Sequence, residues 1–469
     1  MRRDIESSSG SVPFNCVDKC LLALDSINEP MRFHLILDVQ GELDHARLNE
    51  AISAAQQAHP VMRTILRSRH LRPFRQIQED TGKGVLSVAD QAQLQDVSCE
   101  NYHSSWMNRP LNLKKEFPVR VLLLRKNETE SLLVFTFHHS AADGLRALLF
   151  VRTTIQSYNN ELAKAGTAKA LARQVSGDTR TNRRGDELLH FAHSQRSKAG
   201  HYYRKVISSL FHRFVLAAFH PPTRVFHDRS GRSRELRFCF RILSPGELAQ
   251  IQSKARSAGV ALNDILLAAC HGVVEKWNSA HGKVSRRIRI MAPVNISPDG
   301  FRHVVSNQVS WLSFPTRPID RIDPVELLRK VRADTAEAAS NRMAFSLVYF
   351  FYFCSRFPLF LMREMCRFLI VTRVYVDTIV VTNLGSAWTK PGSEEAALSN
   401  IGTAKILNLT GFAPVVTPMG LSIAAVTYNR NPSFSLTYRP ALFSEEKAKM
   451  FLDLYVEELK NYQVGVQRV

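Results

Sequence analysis

The feature of this sequence that most restricts its fold is an apolar strand that ends in two adjacent histidines. Residues Leu132–Phe137 have the composition of a buried strand, and they lead directly into the run His-His-Ser-Ala-Ala-Asp-Gly at positions 138–144. Apolar helix-forming residues resume at Leu145 and continue to Phe150. The chain must therefore pass from strand to helix within this run, which places two imidazoles and a carboxylate together at the end of a sheet.

This junction carries the chemical groups of a general base. Imidazole has an unperturbed pKa of about 6.5, close to working pH. Asp143 follows His139 by four residues, and Gly144 permits a tight entry into the helix. Each residue also has a simpler explanation, because a histidine can be a satisfied core residue and Asp143 can merely cap the helix. Together with the family resemblance given below, their combination favours a catalytic role for His139.

Length and pattern predict an α/β fold with two lobes. A chain of 469 residues with 45% hydrophobic residues is long enough for two cores and apolar enough to fill them. Strands and helices are mixed in both halves, which is typical of α/β proteins. We expect a first lobe at 1–172, a basic connector at 173–232 and a second lobe at 233–469.

Hydrophobic periodicity predicts individual elements within these lobes. Helices are expected at 44–58, with Asp44 as the N-cap, at 245–257, and from Asn263 or Asp264 onward. The predicted strands cover 33–39, 119–124, 132–137, 235–242, 287–293, 309–314, 378–382, 421–428 and 433–438.

The net charge of +20 favours polyanionic partners. Much of the excess lies in the connector, where a solvated linker is the simplest interpretation and docking to a membrane or an acidic carrier protein is the alternative. Aromatic residues are interleaved with these basic residues, but no recognised nucleic-acid motif accompanies them. We therefore expect no nucleic acid among the partners.

Cysteine usage indicates a reducing compartment. The seven cysteines form no CxxC pair and are odd in number, which argues against a disulfide framework or a zinc cluster. The basic N-terminus has no apolar segment typical of a secretory signal behind it. We expect a cytoplasmic protein without a bound metal.

The longest apolar segment, Met343–Ile370, is too interrupted to be a membrane-spanning helix. Arg356, Pro358, Arg363 and Glu364 divide it before about 20 apolar residues have accumulated. A buried helix pair is the simplest interpretation. The alternatives are a segment that rests on a bilayer, which would make the protein peripheral to the membrane, or one that lines a long acyl channel.

The run at 138–144 resembles the HHxxxDG signature of the acyltransferase superfamily of chloramphenicol acetyltransferase, nonribosomal condensation domains and wax ester synthases. His59–Thr64 resembles the segment after the first helix of condensation-type proteins. Gly259–Ala269, with Asn263 and Asp264, resembles the Asn-Asp motif of the wax ester synthase/diacylglycerol acyltransferase branch. Thr382–Gly385 is similar to a late Ser/Thr-Asn segment of that group. The four segments occur in family order, so the resemblance covers nearly the whole chain.

The resemblance implies two chloramphenicol-acetyltransferase-like lobes with an active-site channel at their interface. His139 matches the catalytic base of the superfamily. Asp143 matches a residue that orients the site, for which an ion pair with Arg63 is expected. Gly144 would leave room for the donor's arm, and Asn383 would supply polar groups near the reacting carbonyl.

Three further residues belong to the predicted site as supporting groups. His138 precedes the catalytic histidine, and Asn263 and Asp264 carry the Asn-Asp motif, although both could simply cap a helix.

The reaction implied by the resemblance is transfer of an acyl group from acyl-CoA or an acyl carrier protein to a small-molecule or lipid acceptor hydroxyl. No tightly bound cofactor is implied. Two alternatives stay open: a stand-alone condensation-type N-acyltransferase, and a non-catalytic member that binds a carrier protein or a lipid. The segment Arg109–Asn112 lacks the Pro-Leu-Trp of wax ester synthases and is nearer to condensation-type enzymes.

Motifs of other enzyme classes do not occur. The sequence has no GxSxG elbow, no HExxH pair, no Walker A run and no strand-linked GxGxxG. Serine hydrolase, zinc protease, kinase and dehydrogenase chemistry are therefore all disfavoured.

Overall fold

A computed structural model describes residues 10–27, 29–69, 72–82, 84–91, 99–160, 221–297, 304–340, 343–372, 377–388 and 398–464. Most of the predicted connector at 173–232 lies outside these ranges. The helices are Cys16–Ser26 (α1), His45–Ala58 (α2), Cys99–Asn108 (α3), Gly144–Tyr158 (α4), Pro245–Ser257 (α5), Leu262–Ala280 (α6), Pro324–Ser340 (α7), Ala344–Ser355 (α8), Leu359–Val371 (α9) and Glu445–Asn461 (α10).

The strands are Ser11–Val12 (β1), Arg32–Gln40 (β2), Thr64–Arg69 (β3), Arg72–Ile77 (β4), Leu86–Asp90 (β5), Val119–Arg125 (β6), Glu130–His138 (β7), Arg237–Ile242 (β8), Ile288–Asn295 (β9), Val309–Thr316 (β10), Ile379–Ser386 (β11), Asn400–Ile401 (β12), Ala404–Phe412 (β13), Leu421–Tyr428 (β14) and Asn431–Tyr438 (β15).

Two six-stranded mixed sheets form the centres of two lobes in the described part of the chain. The first has the order β12-β13-β2-β7-β6-β5, and the second has the order β10-β9-β11-β14-β15-β8. A smaller sheet, β1-β4-β3, lies beside the first. Helices pack on both large sheets, so the predicted two-lobed α/β fold is confirmed.

The lobes exchange segments, which the sequence pattern did not predict. Strands β12 and β13 come from the second half of the chain but lie in the first sheet, where β13 pairs antiparallel with β2 and Leu409 faces Leu37. Residues 413–420 then return the chain to β14 in the second sheet. The predicted second lobe, 233–469, therefore contributes two strands to the first.

Helix α1 makes the opposite exchange. It belongs to the first half of the chain, yet Val17 and Leu21 are part of the core of the second lobe. Its cysteine Cys16 donates to the Val348 carbonyl of α8 at 3.8 Å. The N-terminal helix thus covers the side of the second lobe that faces His139.

The predicted apolar segment at 343–370 forms the helices α8 and α9, joined by a turn at 356–358. No single helix among the described residues is long and apolar enough to span a membrane. Helices α5 and α6 satisfy that test only as a pair bent by 99°. Most of α6 is buried inside the second lobe, as expected for a core helix.

A buried ion pair ties the start of β2 to the second lobe. The Arg439 guanidinium lies 2.8 Å from the Glu29 carboxylate, and the two side chains are only 5% and 9% exposed. Glu29 also accepts from the Thr417 backbone N–H at 2.8 Å, and Arg439 donates to the Val415 carbonyl at 3.1 Å. These bonds fix the 413–420 crossover against the N-terminal part of the chain.

We expect Arg439→Met to lower the free energy of unfolding by about 3–5 kcal/mol, because it leaves the Glu29 carboxylate buried without its cation. Urea unfolding measured by tryptophan fluorescence tests this. Arg241→Met is the matched control, since the pair of Arg241 with Asp453 is 40% and 51% exposed and such pairs contribute little. Equal destabilisation by both variants would contradict this account of the crossover.

Candidate active site

His139 lies at the end of β7, where the two lobes meet. Its backbone N–H donates to the Met31 carbonyl at 2.7 Å, which continues the pairing of β7 with the start of β2. The Phe33 ring packs against the imidazole with 5.1 Å between centroids. The strand–turn–helix junction predicted at 138–144 is therefore confirmed, and its second histidine lines two separate cavities.

The first cavity has a volume of about 120 Å³ and lies between the two sheets. Its walls come from the start of β2, the 139–145 segment, the ends of β9 and β11, and residues 411–414. Its polar side chains include those of His34, Asp143, Asn295, Gln308 and Asn383. This cavity can accommodate a ligand with hydrogen-bonding groups.

The second cavity is larger, about 230 Å³, and nearly all of its walls are apolar. Helix α1, helices α8 and α9 and the second sheet enclose it. Its lining includes Leu21, Phe351, Met362, Met365, Leu369 and Met419. Such a lining favours an apolar ligand group.

The two cavities share part of their walls, and the shared part surrounds His139. The residues that line both are His139, Pro293, Val309, Thr382, Ala413 and Pro414. Among these, only His139 and Thr382 have side chains that can form hydrogen bonds. The imidazole thus stands where a ligand in one cavity would meet a ligand in the other.

A buried polar network holds the backbone carbonyls of His139 and Ser140. The Asn307 amide donates to the His139 carbonyl at 2.6 Å and to the Asp18 carboxylate at 2.8 Å. Asp18 pairs with Arg75 at 3.1 Å, and Arg75 also donates to the Ser140 carbonyl. Side chains from both lobes therefore fix the turn that carries His139.

Sequence reasoning missed Asp18, Arg75 and Asn307. The one available signal was the spacing of Asn15 and Asp18, which form a reciprocal capping box at the start of α1 with bonds of 2.8 and 3.0 Å. That signal predicts a helix start and not a site. Only the folded chain brings these residues beneath the turn.

Asp143 caps helix α4 and bridges to the second lobe. One carboxylate oxygen accepts from the Arg146 backbone N–H at 3.0 Å, and the other accepts from the Gln308 backbone N–H at 2.8 Å. The expected ion pair with Arg63 is wrong for the described residues, because the Arg63 guanidinium donates to the Gln78 carbonyl at 3.3 Å instead. Backbone N–H groups occupy both oxygens of Asp143, so the carboxylate needs no arginine.

His138 supports the turn at 138–144 and has a structural role. It is fully buried, and its Nδ1 accepts from the Ser140 backbone N–H at 3.1 Å and from the Ser140 hydroxyl at 2.8 Å. Its Nε2 therefore carries the proton and lies 3.4 Å from the Asp25 carboxylate. Burial would raise the pKa of Asp25, but the bonds from His138 and Met31 outweigh it and lower that pKa. His138 lines neither of the two cavities and instead stiffens the turn.

The surroundings of His139 keep its imidazole neutral. Burial lowers its pKa, while the charge of Asp143 and a hydrogen bond involving Asn307 raise it only in part. The pKa therefore lies below the ordinary value of about 6.5. A neutral imidazole at neutral pH is the form that accepts a proton.

Gly144 lies where the two lobes pack closely. A Cβ built on it would meet the Leu384 side chain of β11 at 2.5 Å. Gly144 and Leu384 both line the first cavity. The expected room for a donor's arm is thus occupied at this point by Leu384.

The structure brings together two of the predicted motif residues. The Asn383 amide donates to the Asn263 side-chain oxygen at 2.7 Å, and the Asn383 oxygen accepts from the Gly385 N–H at 2.8 Å. Asp264 is buried in the first turn of α6. Its carboxylate accepts hydrogen bonds from the Ala261 N–H at 2.8 Å and from the Thr335 hydroxyl at 2.7 Å. The capping interpretation therefore fits Asp264, whereas Asn263 positions Asn383 beside the first cavity.

Cysteines near His139 remain protonated thiols. Cys20, Cys354 and Cys366 line the second cavity. Burial raises the pKa of Cys354 to about 11 and that of Cys366 to about 12, and it raises the pKa of Cys20 strongly. None of these three is therefore poised as a nucleophile.

The sequence model of the condensation domain family matches residues 31–342 of this chain, which is more than half of its length. The chain belongs to the condensation domain family. The comparison with curated proteins gives no match.

Solved structures of condensation-type domains have the same fold. The first condensation domain of the CDA synthetase has a TM-score of 0.63 at 16% identity and covers 99% of both chains. The epimerization domain from the third module of tyrocidine synthetase B has a TM-score of 0.63 at 12% identity over 98% of both chains. The starter condensation domain of rhizomide synthetase, in complex with C8-CoA, has a TM-score of 0.61 at 11% identity over 98% of both chains.

The TM-scores over nearly whole chains show the condensation-domain fold, while the low identities leave the reaction to be argued from the site. Members of the family transfer or condense acyl groups, so an acyl-transferring activity agrees with the family. The acceptor and the donor depend on the two cavities of this particular chain.

We expect Gly144→Ala in this condensation-domain protein to reduce turnover roughly tenfold while changing the free energy of unfolding by less than about 1 kcal/mol. The new methyl group pushes the flexible end of Leu384 into the first cavity. Gly144→Ala combined with Leu384→Ala should recover most of the activity. Thiol-release rates and melting temperatures of the two variants test this, and failure of the double variant to recover would contradict it.

We also expect the acid limb of the pH–rate profile to lie below about pH 6.5, because burial lowers the pKa of His139. The negative charge of Asp143 raises that pKa, so Asp143→Asn should move the limb to still lower pH. The rate should fall by about 10²-fold, because an amide cannot accept both backbone bonds. A limb that moves to higher pH in the variant would overturn this electrostatic account.

Proposed function

We propose that this condensation-domain protein transfers an acyl group from an acyl thioester, either acyl-CoA or an acyl carrier protein, to an acceptor hydroxyl, with His139 as the general base. The observation that carries the proposal is the position of His139, at the junction of a polar cavity and an apolar one. Two ligands placed in these cavities would meet at the imidazole.

The acceptor's proton goes to the one ring nitrogen that is free to take it. Nδ1 of His139 is buried, which leaves Nε2 toward the cavities. As the acceptor oxygen forms its bond to the thioester carbon, Nε2 takes the hydroxyl proton, and it returns that proton to the thiolate when the carbon–sulfur bond breaks. General-base action of this kind contributes about 10²–10⁴-fold to a rate.

We assign stabilisation of the developing oxyanion to the hydroxyl group of Thr382. Its side chain lies with His139 in the shared wall of the cavities. Asn383, the residue expected from the sequence, is held by Asn263 and Gly385 and lines the first cavity only. A well-placed donor to an oxyanion is worth about 3–4 kcal/mol in hydrolases.

The apolar second cavity supports a lipidic acyl chain. Its walls, formed by α1, α8 and α9, offer an acyl chain contact with apolar side chains along its length. The sequence resemblance of the Asn263 and Asn383 segments to the wax ester synthase/diacylglycerol acyltransferase branch supports the same choice, and the two residues are hydrogen-bonded at 2.7 Å. The rhizomide domain bound to C8-CoA supports acyl-CoA as one donor.

An amine acceptor is the second candidate. Two of the solved structures with this fold are domains of the CDA synthetase and of tyrocidine synthetase B, and the segment Arg109–Asn112 is nearer to condensation-type enzymes.

The proposal includes a cytoplasmic location and needs no metal or tightly bound cofactor. Within the described ranges, no group of three His, Cys, Asp or Glu side chains is arranged to hold a metal ion.

The experiment that tests the proposal is thiol release from acyl-CoAs of increasing chain length, with alcohol and amine acceptors. We expect turnover with long acyl chains and alcohols, a loss of about 10³-fold in His139→Ala and of about 10²-fold in Thr382→Val. Met365→Trp, which narrows the second cavity, should shift the preference toward shorter chains.

The possible outcomes of this experiment separate the alternatives. Preference for amines would favour the condensation-type N-acyltransferase. Folded protein without turnover on any acyl-CoA would require a carrier-bound donor, and the same panel on a carrier protein decides whether the domain is catalytic at all. Unchanged activity in His139→Ala would overturn the proposed mechanism.

A further inference from the structure

Helix α9 carries large apolar side chains on two opposite sides, and its outer side also carries the exposed charged residues Glu364 and Arg367. One face lines the second cavity through Met362, Met365 and Leu369. The other face is exposed, with Phe360 at 55%, Phe368 at 58% and Val371 at 78% of full exposure. The second face has no packing partner in the described part of the chain.

Several large apolar side chains close together are unusual on a protein surface, whereas single ones are normal. Helix α8, which packs beside α9, adds Phe353 at 60% exposure. Large apolar side chains clustered on one surface indicate a site of association.

The charges around this surface favour an anionic partner. The hairpin α8–α9 contains three arginines, Arg356, Arg363 and Arg367, and one acid, Glu364. Glu364 pairs with Arg363 at 3.0 Å and with Arg367 at 3.1 Å, so positive charge remains in excess. Aromatic residues flanked by arginines suit the boundary between anionic headgroups and acyl chains.

We propose that the outer face of the α8–α9 hairpin binds to the surface of an anionic lipid bilayer, with the helices in the plane of the interface. Phe353, Phe360 and Phe368 enter the headgroup boundary, and the arginines contact lipid phosphates. The inner face of the same hairpin is the wall of the cavity that ends at His139, so an acyl chain has a short path between bilayer and active site. This role in substrate delivery rests on the proposed function, whereas the membrane binding does not.

The test of binding is co-sedimentation of the full chain with phosphatidylcholine vesicles that contain or lack phosphatidylglycerol. We expect binding that needs phosphatidylglycerol and weakens with salt. Phe360→Ser combined with Phe368→Ser should weaken it roughly tenfold to a hundredfold. The matched control is Val284→Ser with Ile322→Ser, which removes apolar side chains that are 75% and 74% exposed elsewhere.

The outcomes are distinct. Absence of vesicle binding, equal loss in both double variants, or a dimer that dissociates in the phenylalanine variant would overturn the membrane proposal. Thiol release from a water-soluble short acyl-CoA should be the same in the phenylalanine variant and the unaltered chain, while release from long-chain acyl-CoA partitioned into vesicles should fall. Binding without any turnover would leave the membrane surface supported and remove only the proposed reaction.

Discussion

The carboxylate of Asp143 is the contact on which the geometry of the site depends. It accepts from the first turn of α4 in one lobe and from the Gln308 N–H in the other. The neighbouring residue, Asn307, binds the His139 carbonyl. Two consecutive residues of the second lobe thus hold both ends of the turn that carries the histidine. Separation of the lobes would remove these bonds and the alignment of the cavities together.

The reciprocal exchange between the lobes explains why the cavities form where they do. Helix α1 crosses to the second lobe and closes the apolar cavity, while β13 crosses to the first sheet and brings residues 413–414 to the shared wall. Neither lobe can therefore form all the walls of the site without the segment that it receives from the other half of the chain. The buried pair of Glu29 and Arg439 holds the crossover in place.

The condensation fold itself does not determine the reaction. Domains described as condensation and epimerization domains share this architecture at 16% identity or less. In this chain the site consists of two contrasting cavities, and the α8–α9 hairpin separates one of them from the surface. Hydrophobic burial can select an acyl chain, but it has no directional preference, so the reactive end must be fixed by the hydrogen bonds around His139.

The sequence by itself determined the local elements, including the strand–turn–helix junction that carries His139. Helix 245–257 and strand 421–428 were predicted with their observed bounds, because capping residues and apolar periodicity depend on neighbours along the chain. The 138–144 run located His139 because strand, turn and helix follow one another there without interruption. The sequence did not reveal the exchange of β13, the role of Asn307 or the bond from Gln308 to Asp143. These join residues that are 165 or more positions apart, as Gln308 and Asp143 are, and only the packing of the two lobes decides which distant groups meet.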